Sequence, residues 1–442
     1  MLFDWFIKHH AKGILYVILI TFAGFLCFRI AILTPYNAHP DEYTHVDAFK
    51  YFETNWWPPD LGSGKLVYSP YGQSHVYTGE IVYFIYGKIG RVLNHFLQTD
   101  NIHYLVYRFI NILLFMVTLS LLFFSPCKSI KTIPIAFVFL CVPQVAYIYS
   151  YANYDGWAVS STVFVFVWAI IMAESASIPW SWSATGILGV FTGFIFASRQ
   201  PDILGLAIPY FILGVQAVRN AKGNKILTKY AFRLIIALVI GFCLSSPLKL
   251  IYRHSQGDFQ IAYEQMREEK AQKPFKPSTK SFPFYHLAEK GETYRHMLID
   301  RKWLALSYMS FYGGYGYLNL WNPPWIYWLA GILSIMSVFL TLYTFIRKWI
   351  NINRLVKWSL ILSPIIFIIN IGASIYHSMH IDFQAQGRYL FCALIPISIL
   401  FVGTVDFESR KIKIVRVGIF IVLYSLSVFS LFFIAPLATL PR

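Results

Sequence analysis

The stretch ILYVILITFAGFLCFRIAIL, residues 14–33, runs directly into TPYNAHPDEYTH, residues 34–45. The first part is long and apolar enough to cross a hydrocarbon core as a helix. The second leaves His39-Pro40-Asp41-Glu42-Tyr43-Thr44-His45 at the boundary where that helix ends. Two adjacent carboxylates and two histidines persist at such a place only if water, a substrate or a metal satisfies them. Pro40 suits a first helical position, which would put both acids in a first turn, where the helix dipole favours carboxylates. Adjacent helical residues point about 100° apart, so one acid would face a substrate while the other orients the scaffold. Repulsion between them would raise one towards the range of a general base.

The same kind of apolar run recurs along the chain. Of its 442 residues 57% are hydrophobic and 13% charged, which overrules a reading as two or three soluble domains. Runs lie at 14–33, 104–124, 132–150, 157–175, 184–198, 202–218, 231–250, 324–346, 358–376, 388–405 and 417–436. The expectation is an all-α polytopic membrane protein, one unit over 1–442 with about eleven spans. The runs do not alternate as the strands of a β-barrel would. The formal charge of +16 is concentrated in short links, Lys128/Lys131, Arg219 to Lys229, Arg347 to Lys357 and Arg410 to Arg416. That distribution sets topology and meets lipid headgroups, and it argues against nucleic acid. Lys8 and Lys12 before the first run read as a signal anchor.

With the N-terminus inside, every basic link is cytoplasmic. Asp41/Glu42, Asp155, Arg199/Asp202, His380–Arg388 and two large segments, 34–103 and 251–323, then share the opposite face. In the first segment, Val76 to Phe96 reads as a helix lying among headgroups. In the second, a short mixed-charge helix over 264–270 precedes a proline-rich loop. The five cysteines read as small buried hydrophobes without zinc or disulfide spacing.

Several further residues stand on that face. Asp155 would either cap the helix that begins at Trp157 or act directly. Arg199 would pair with Asp202 or hold a phosphate. His45, one turn beyond the acids, would orient a carboxylate, bind a phosphate or be an interfacial histidine. Arg388, in Gln384-Ala385-Gln386-Gly387-Arg388-Tyr389, either snorkels or offers a planar fork to a lipid phosphate, with Gly387 permitting close backbone approach. His377, His380 and Asp382 lie just upstream, but without tight metal-ligand spacing the expectation is no cofactor, a divalent ion being the alternative. Tyr315, in the aromatic run Phe311 to Tyr317, fits an interfacial belt or a stacking surface for sugar rings.

Pro40-Asp41-Glu42 with His45, an acid two spans later, and Gln386-Gly387-Arg388-Tyr389 opening a late span resemble a bacterial membrane-protein family. It is catalogued as a domain of unknown function and related to the GT-C glycosyltransferases. The layout is also similar to the serotype-converting O-antigen glucosyltransferases that modify lipopolysaccharide. The resemblance implies a GT-C-like fold in the bacterial inner membrane and an active site facing the periplasm. It implies a polyprenyl-phosphate-linked sugar donor and a polysaccharide acceptor, with glucose moved from undecaprenyl phosphate to O-antigen or another surface polymer. Asp41 would be the base, supported by Glu42 or Asp155. Arg388, Arg199 and His45 would hold the donor phosphate, with His39, Gln386, Tyr389 and Tyr315 against substrate. An O-antigen polymerase or ligase using a diphosphate-linked donor is the rival within the class. A lipid-linked-sugar flippase or transporter is the rival outside it, although such proteins bury ionisable groups near mid-bilayer. Arg29, Arg108 and Arg233 all stand near span ends.

Overall fold

The computed structural model describes residues 2–97, 103–175, 180–198, 200–221, 223–255, 259–279 and 283–440. Its helices are, in order, α1 (Leu2–Leu33), α2 (Glu42–Thr54), α3 (Ile81–Leu97), α4 (His103–Phe124), α5 (Ile133–Cys141), α6 (Pro143–Ile148), α7 (Asp155–Glu174) and α8 (Trp182–Phe196). There follow α9 (Ala207–Asn220), α10 (Asn224–Ser255), α11 (Phe259–Lys270), α12 (Trp303–Gly313), α13 (Pro324–Arg347), α14 (Arg354–His380), α15 (Leu394–Val402) and α16 (Arg410–Phe429). One two-stranded ribbon joins β1 (Gly314–Tyr315) to β2 (Leu320–Trp321), with Gly314 opposite Trp321.

Nine helical stretches among the described residues are long and apolar enough to cross a membrane. The chain is a multi-pass α-helical membrane protein. Two of the eleven expected spans take other forms. Residues 184–198 correspond to α8, which at 15 residues has the length of the expected run but is short for a full span. Residues 132–150 are not one helix, because proline has no N–H to donate and pushes its predecessor out of the helical region. Val142 is accordingly extended (φ −105°, ψ 97°), and the chain restarts as α6 at Pro143. Among the cysteines, Cys27, Cys127, Cys141 and Cys392 are buried, but Cys243 is exposed on α10, so the burial expected of all five fails there.

The basic links gather at one end of the bundle. The Asn353 amide donates to the Ser129 carbonyl at 2.8 Å, and the Glu174 carboxylate accepts the Lys128 N–H at 2.9 Å. The long segments meet at the other, loop-rich end. There α11 rests on the turn at Ser69–Gln73, where Gln272 N–H donates to the Pro70 carbonyl at 3.0 Å. Gly72, at φ +70°, lets that turn approach the α11 backbone closely. Tyr285 bridges to Asp382, tying the second long segment to the link before α15.

The helix expected among headgroups is α3. One face, Val82, Tyr83 and Tyr86, is buried, while Ile89, Val92 and Phe96 stay exposed. Its inner face packs on α2 across Gly87, where a Cβ would stand 2.6 Å from the Phe49 carbonyl oxygen and 2.8 Å from the Phe52 carbonyl carbon. Gly418, on α16, has nothing within 4 Å of the same virtual atom. Gly87→Ala is therefore expected to destabilise by about 1–3 kcal/mol through overpacking. Gly418→Ala should stabilise by up to about 1 kcal/mol through backbone entropy. Thermal unfolding in detergent reads both, and equal shifts would refute the close α2–α3 contact.

Candidate active site

The loop-rich end is assembled on Glu42. Both it and Arg108, from the first turns of α4, are fully buried. Arg108 Nε donates to Glu42 Oε1 and Nη2 to Oε2, each at 2.7 Å. Its remaining N–H groups reach the carbonyls of Ala31, Thr34 and Pro35, at 2.5, 2.9 and 3.0 Å. The Glu42 oxygens also accept the N–H of Asn37 at 3.0 Å and of Ala152 at 3.2 Å. The pair thus joins the end of α1, the start of α2, α4 and the loop after α6. Of the two acids, Glu42 is the scaffold member, and its carboxylate has no face left for substrate.

Asp41 is outside the helix it was expected to share with Glu42. Pro40 is not a first helical residue, because the chain turns once more before α2 begins. Asp41 takes the left-handed conformation (φ 57°, ψ 12°), and its side chain caps nothing. A non-glycine residue held there is strained, and such strain persists where the surroundings over-determine it. Here Glu42, one residue on, is locked by Arg108. Burial raises the Asp41 carboxyl above its ordinary range; Arg388 opposes the shift and Asp155 adds to it.

Asp155 opens α7 without capping it. The cap is Asn153, whose side-chain oxygen accepts the N–H of Asp155 at 2.7 Å and of Gly156 at 3.3 Å. Released from that task and favoured by the helix N-terminus, Asp155 lies with Oδ2 at 3.6 Å from Arg388 Nη1. Tyr151 Oη is 3.4 Å from the same nitrogen. Arg388 Nε is buried with no hydrogen-bond partner among the described residues. A guanidinium with one desolvated, unengaged donor is suited to an anion. Arg388 also lines a narrow pocket with Pro40, Tyr147, Tyr151, Gly316 and Gln386.

The surrounding aromatics and glycines have mainly structural tasks. Gly387 serves a close approach, but to protein: a Cβ there would lie 2.1 Å from Phe311 N. Its own N–H donates to Ser310 Oγ at 2.7 Å. Tyr389 sits beside Arg388, whose guanidinium is 5.4 Å from the ring centre. Tyr315, expected against substrate, is instead fully buried; its ring meets Tyr147 and its hydroxyl meets Ser430. His39 corrects the same way. It is fully buried, with Nε2 on Thr34 Oγ1 at 2.9 Å, Nδ1 on Tyr147 Oη at 2.7 Å and its face on Tyr151. Burial holds His39 neutral. His45 is buried. It stacks on His75 at 4.2 Å and shares a 2.8 Å hydrogen bond with Tyr83, so a phosphate-binding role finds no opening there.

Arg199 and the Arg199–Asp202 pairing lie outside the described residues and side chains. Among the described residues, no group of three or more His, Cys, Asp or Glu is placed to hold a metal ion. His380 is engaged with Tyr294 at 3.0 Å, and Asp382 accepts a 2.6 Å bond from Gln384.

Sequence reading placed Arg108 only near a span end and gave no role to Asn111, Gln144, Tyr151 or Asn153. Arg108 had a usable signal, since a lone arginine inside an apolar span requires a partner. Asn111 had a weaker one; buried in α4, it donates to the carbonyls of Tyr151 and Asn153 and fixes the loop that carries Asp155.

No family model matches the sequence, and no curated protein matches it. Among solved structures there is a match to the crystal structure of ArnT from Cupriavidus metallidurans bound to undecaprenyl phosphate. The chain shares the fold of ArnT. The TM-score is 0.53 at 13% identity, over 93% of this chain. The match covers 63% of the ArnT chain, so this protein spans less than two thirds of that structure's length. The all-α, multi-span architecture expected from the sequence is the one found.

Two outcomes follow from the charge arrangement. Removing one member of the buried pair, as in Arg108→Met, leaves an uncompensated carboxylate and should cost about 3–5 kcal/mol. Arg108→Met with Glu42→Leu should recover most of that in thermal unfolding; no recovery would mean that the pair is not the unit argued here. Asp41→Asn should behave oppositely. A carboxyl raised in the folded state loses stability as pH rises from its unfolded value, roughly 3.9, through its folded value. Asparagine escapes that loss. The variant should match wild type at the acid end and melt higher at neutral pH; a lower melting point at neutral pH would overturn the desolvated-carboxylate reading.

Proposed function

We propose that this protein is a GT-C-type membrane glycosyltransferase. The substrates proposed are a polyprenyl-phosphate-linked sugar, glucose on undecaprenyl phosphate, and O-antigen or another surface polysaccharide. The loop-rich end would face the periplasm from a bacterial inner membrane. The observation that carries the reading is that Arg388 and Pro40, the residue before Asp41, line one pocket at the same end of the bundle, with Asp155 set 3.6 Å from the guanidinium.

Sugar transfer from a lipid phosphate needs a base at the attacking hydroxyl and positive charge at the departing phosphate. In this scheme Asp41 takes the proton of the acceptor hydroxyl as that oxygen bonds to the anomeric carbon. The bond from that carbon to the phosphate oxygen breaks, and its electron pair stays on the phosphate, which Arg388 stabilises. Asp155 and Tyr151 orient the guanidinium, and the Glu42–Arg108 pair holds Asp41 in its strained turn. The raised carboxyl of Asp41 suits a base. An apolar cavity of about 320 Å³, lined among others by Trp303, Phe311, Phe367, Leu390 and Phe401, lies behind α12 and the turn carrying Arg388. It suits the isoprene units nearest the phosphate. The fold shared with a protein crystallised with undecaprenyl phosphate supports the same donor class.

Purified protein supplied with undecaprenyl-phosphate glucose and a polysaccharide acceptor tests the reading. Asp41→Asn should insert and fold normally yet lose transfer by about 10² or more, and Arg388→Lys should lose a comparable factor because the planar fork is lost. Wild-type transfer should fall as pH drops through the raised pKa of Asp41, since only the carboxylate accepts the proton. Full turnover by Asp41→Asn would remove it as base. Turnover with a diphosphate-linked donor alone would reassign the protein as a polymerase or ligase.

A further inference from the structure

At the basic end, α16 and α5 enclose a second apolar cavity, also of about 320 Å³. The two helices meet at Cys141, whose thiol lies 3.7 Å from the Phe420 carbonyl. Between Ile133 and Phe137 of α5 and the opposed part of α16, the cavity remains open. The α16 wall is formed by Lys413, Arg416, Val417, Phe420, Ile421 and Tyr424. From Lys413 to Tyr424 it runs about 16 Å at 1.5 Å per residue, which is the reach of an acyl chain and not of a headgroup. Its charged residues are Lys413, which is exposed at the mouth, and Arg416, which Glu408 neutralises.

The charge at that mouth is unfavourable for the helix that bears it. Arg410, Lys411 and Lys413 open α16, with no acid in its first turn. Cations at a helix N-terminus oppose the dipole, so the arrangement calls for a compensating anion. Ser409 caps the helix from its side chain but brings no charge. Two acids lie nearby and neither cancels the cluster. Glu408 is consumed by Arg416, whose Nε lies 2.9 and 3.0 Å from the two carboxylate oxygens. Asp406 lines a separate pocket with Lys131, next to Pro134. A basic link alone would satisfy a topology signal; a lysine at the mouth of a membrane-deep apolar groove does more.

We propose that the α5–α16 groove is a specific site for an anionic glycerophospholipid, with one acyl chain between the helices and the headgroup phosphate on Lys413. The proposal is independent of the sugar-transfer reading and survives its failure. Native mass spectrometry of the full chain in neutral detergent, titrated with dioleoyl phosphatidylglycerol or dioleoyl phosphatidylcholine, provides the test. The wild type should hold one phosphatidylglycerol about five-fold or more tighter than phosphatidylcholine. Lys413 is exposed, so Lys413→Ala should fold normally and lose that preference. Ile421→Trp, which fills the groove, should weaken both lipids, while Lys357→Ala, on another basic link, should change neither. Equal binding of the two lipids by wild type would overturn the site. So would a preference untouched by Lys413→Ala, or one lost equally in Lys357→Ala.

Discussion

Glu42 and Arg108 neutralise each other where no water reaches them, and four separate pieces of chain converge on the pair. All five N–H groups of Arg108 find acceptors, and Glu42 takes two further backbone donors. Such completeness is what makes a buried pair tolerable, because desolvation of each charge is otherwise too costly. It also explains why Asp41 can be held in a left-handed turn. The residue beside it has no freedom, so the strain cannot relax by letting α2 start one residue earlier.

A second consequence concerns how charge is distributed among neighbours. Asp41, Asp155 and Arg388 interact without closing into a tight salt bridge. The Asp155–Arg388 separation of 3.6 Å is looser than the 2.7 Å contacts of the buried pair. One cluster is saturated and rigid, while the other retains an unengaged guanidinium donor. The helix break at Val142–Pro143 contributes by letting α6 turn Gln144 and Tyr147 into the pocket wall beside Arg388. The ribbon after α12 completes that wall, its Gly316 N–H donating to Tyr147 at 2.7 Å.

Much of the fold was legible because a bilayer imposes a one-dimensional rule on sequence. Run length identifies the spans, and lysine and arginine mark the links at one end. The gathering of Ser129 with Asn353, and of Tyr285 with Asp382, agrees with that ordering. The departures are equally local in origin. A proline inside an apolar run, Pro143, did not change hydropathy and so did not register as a break. A proline before two acids, Pro40, suggested a helix start that the strained turn at Asp41 displaced.

The amino-acid sequence by itself determined that this chain spans a membrane many times, where its links fall, and that Asp41, Asp155 and Arg388 stand at span ends on one side. Those properties depend on hydrophobicity and order along the chain. Only the tertiary structure decided the division of labour between Asp41 and Glu42, since it turned on a partner 66 residues away in α4. It likewise buried His39, His45 and Tyr315 among aromatic rings, and released Asp155 from its cap in favour of Asn153. Which polar side chain is saturated and which remains available is a matter of three-dimensional neighbours, and spacing along a chain does not encode it.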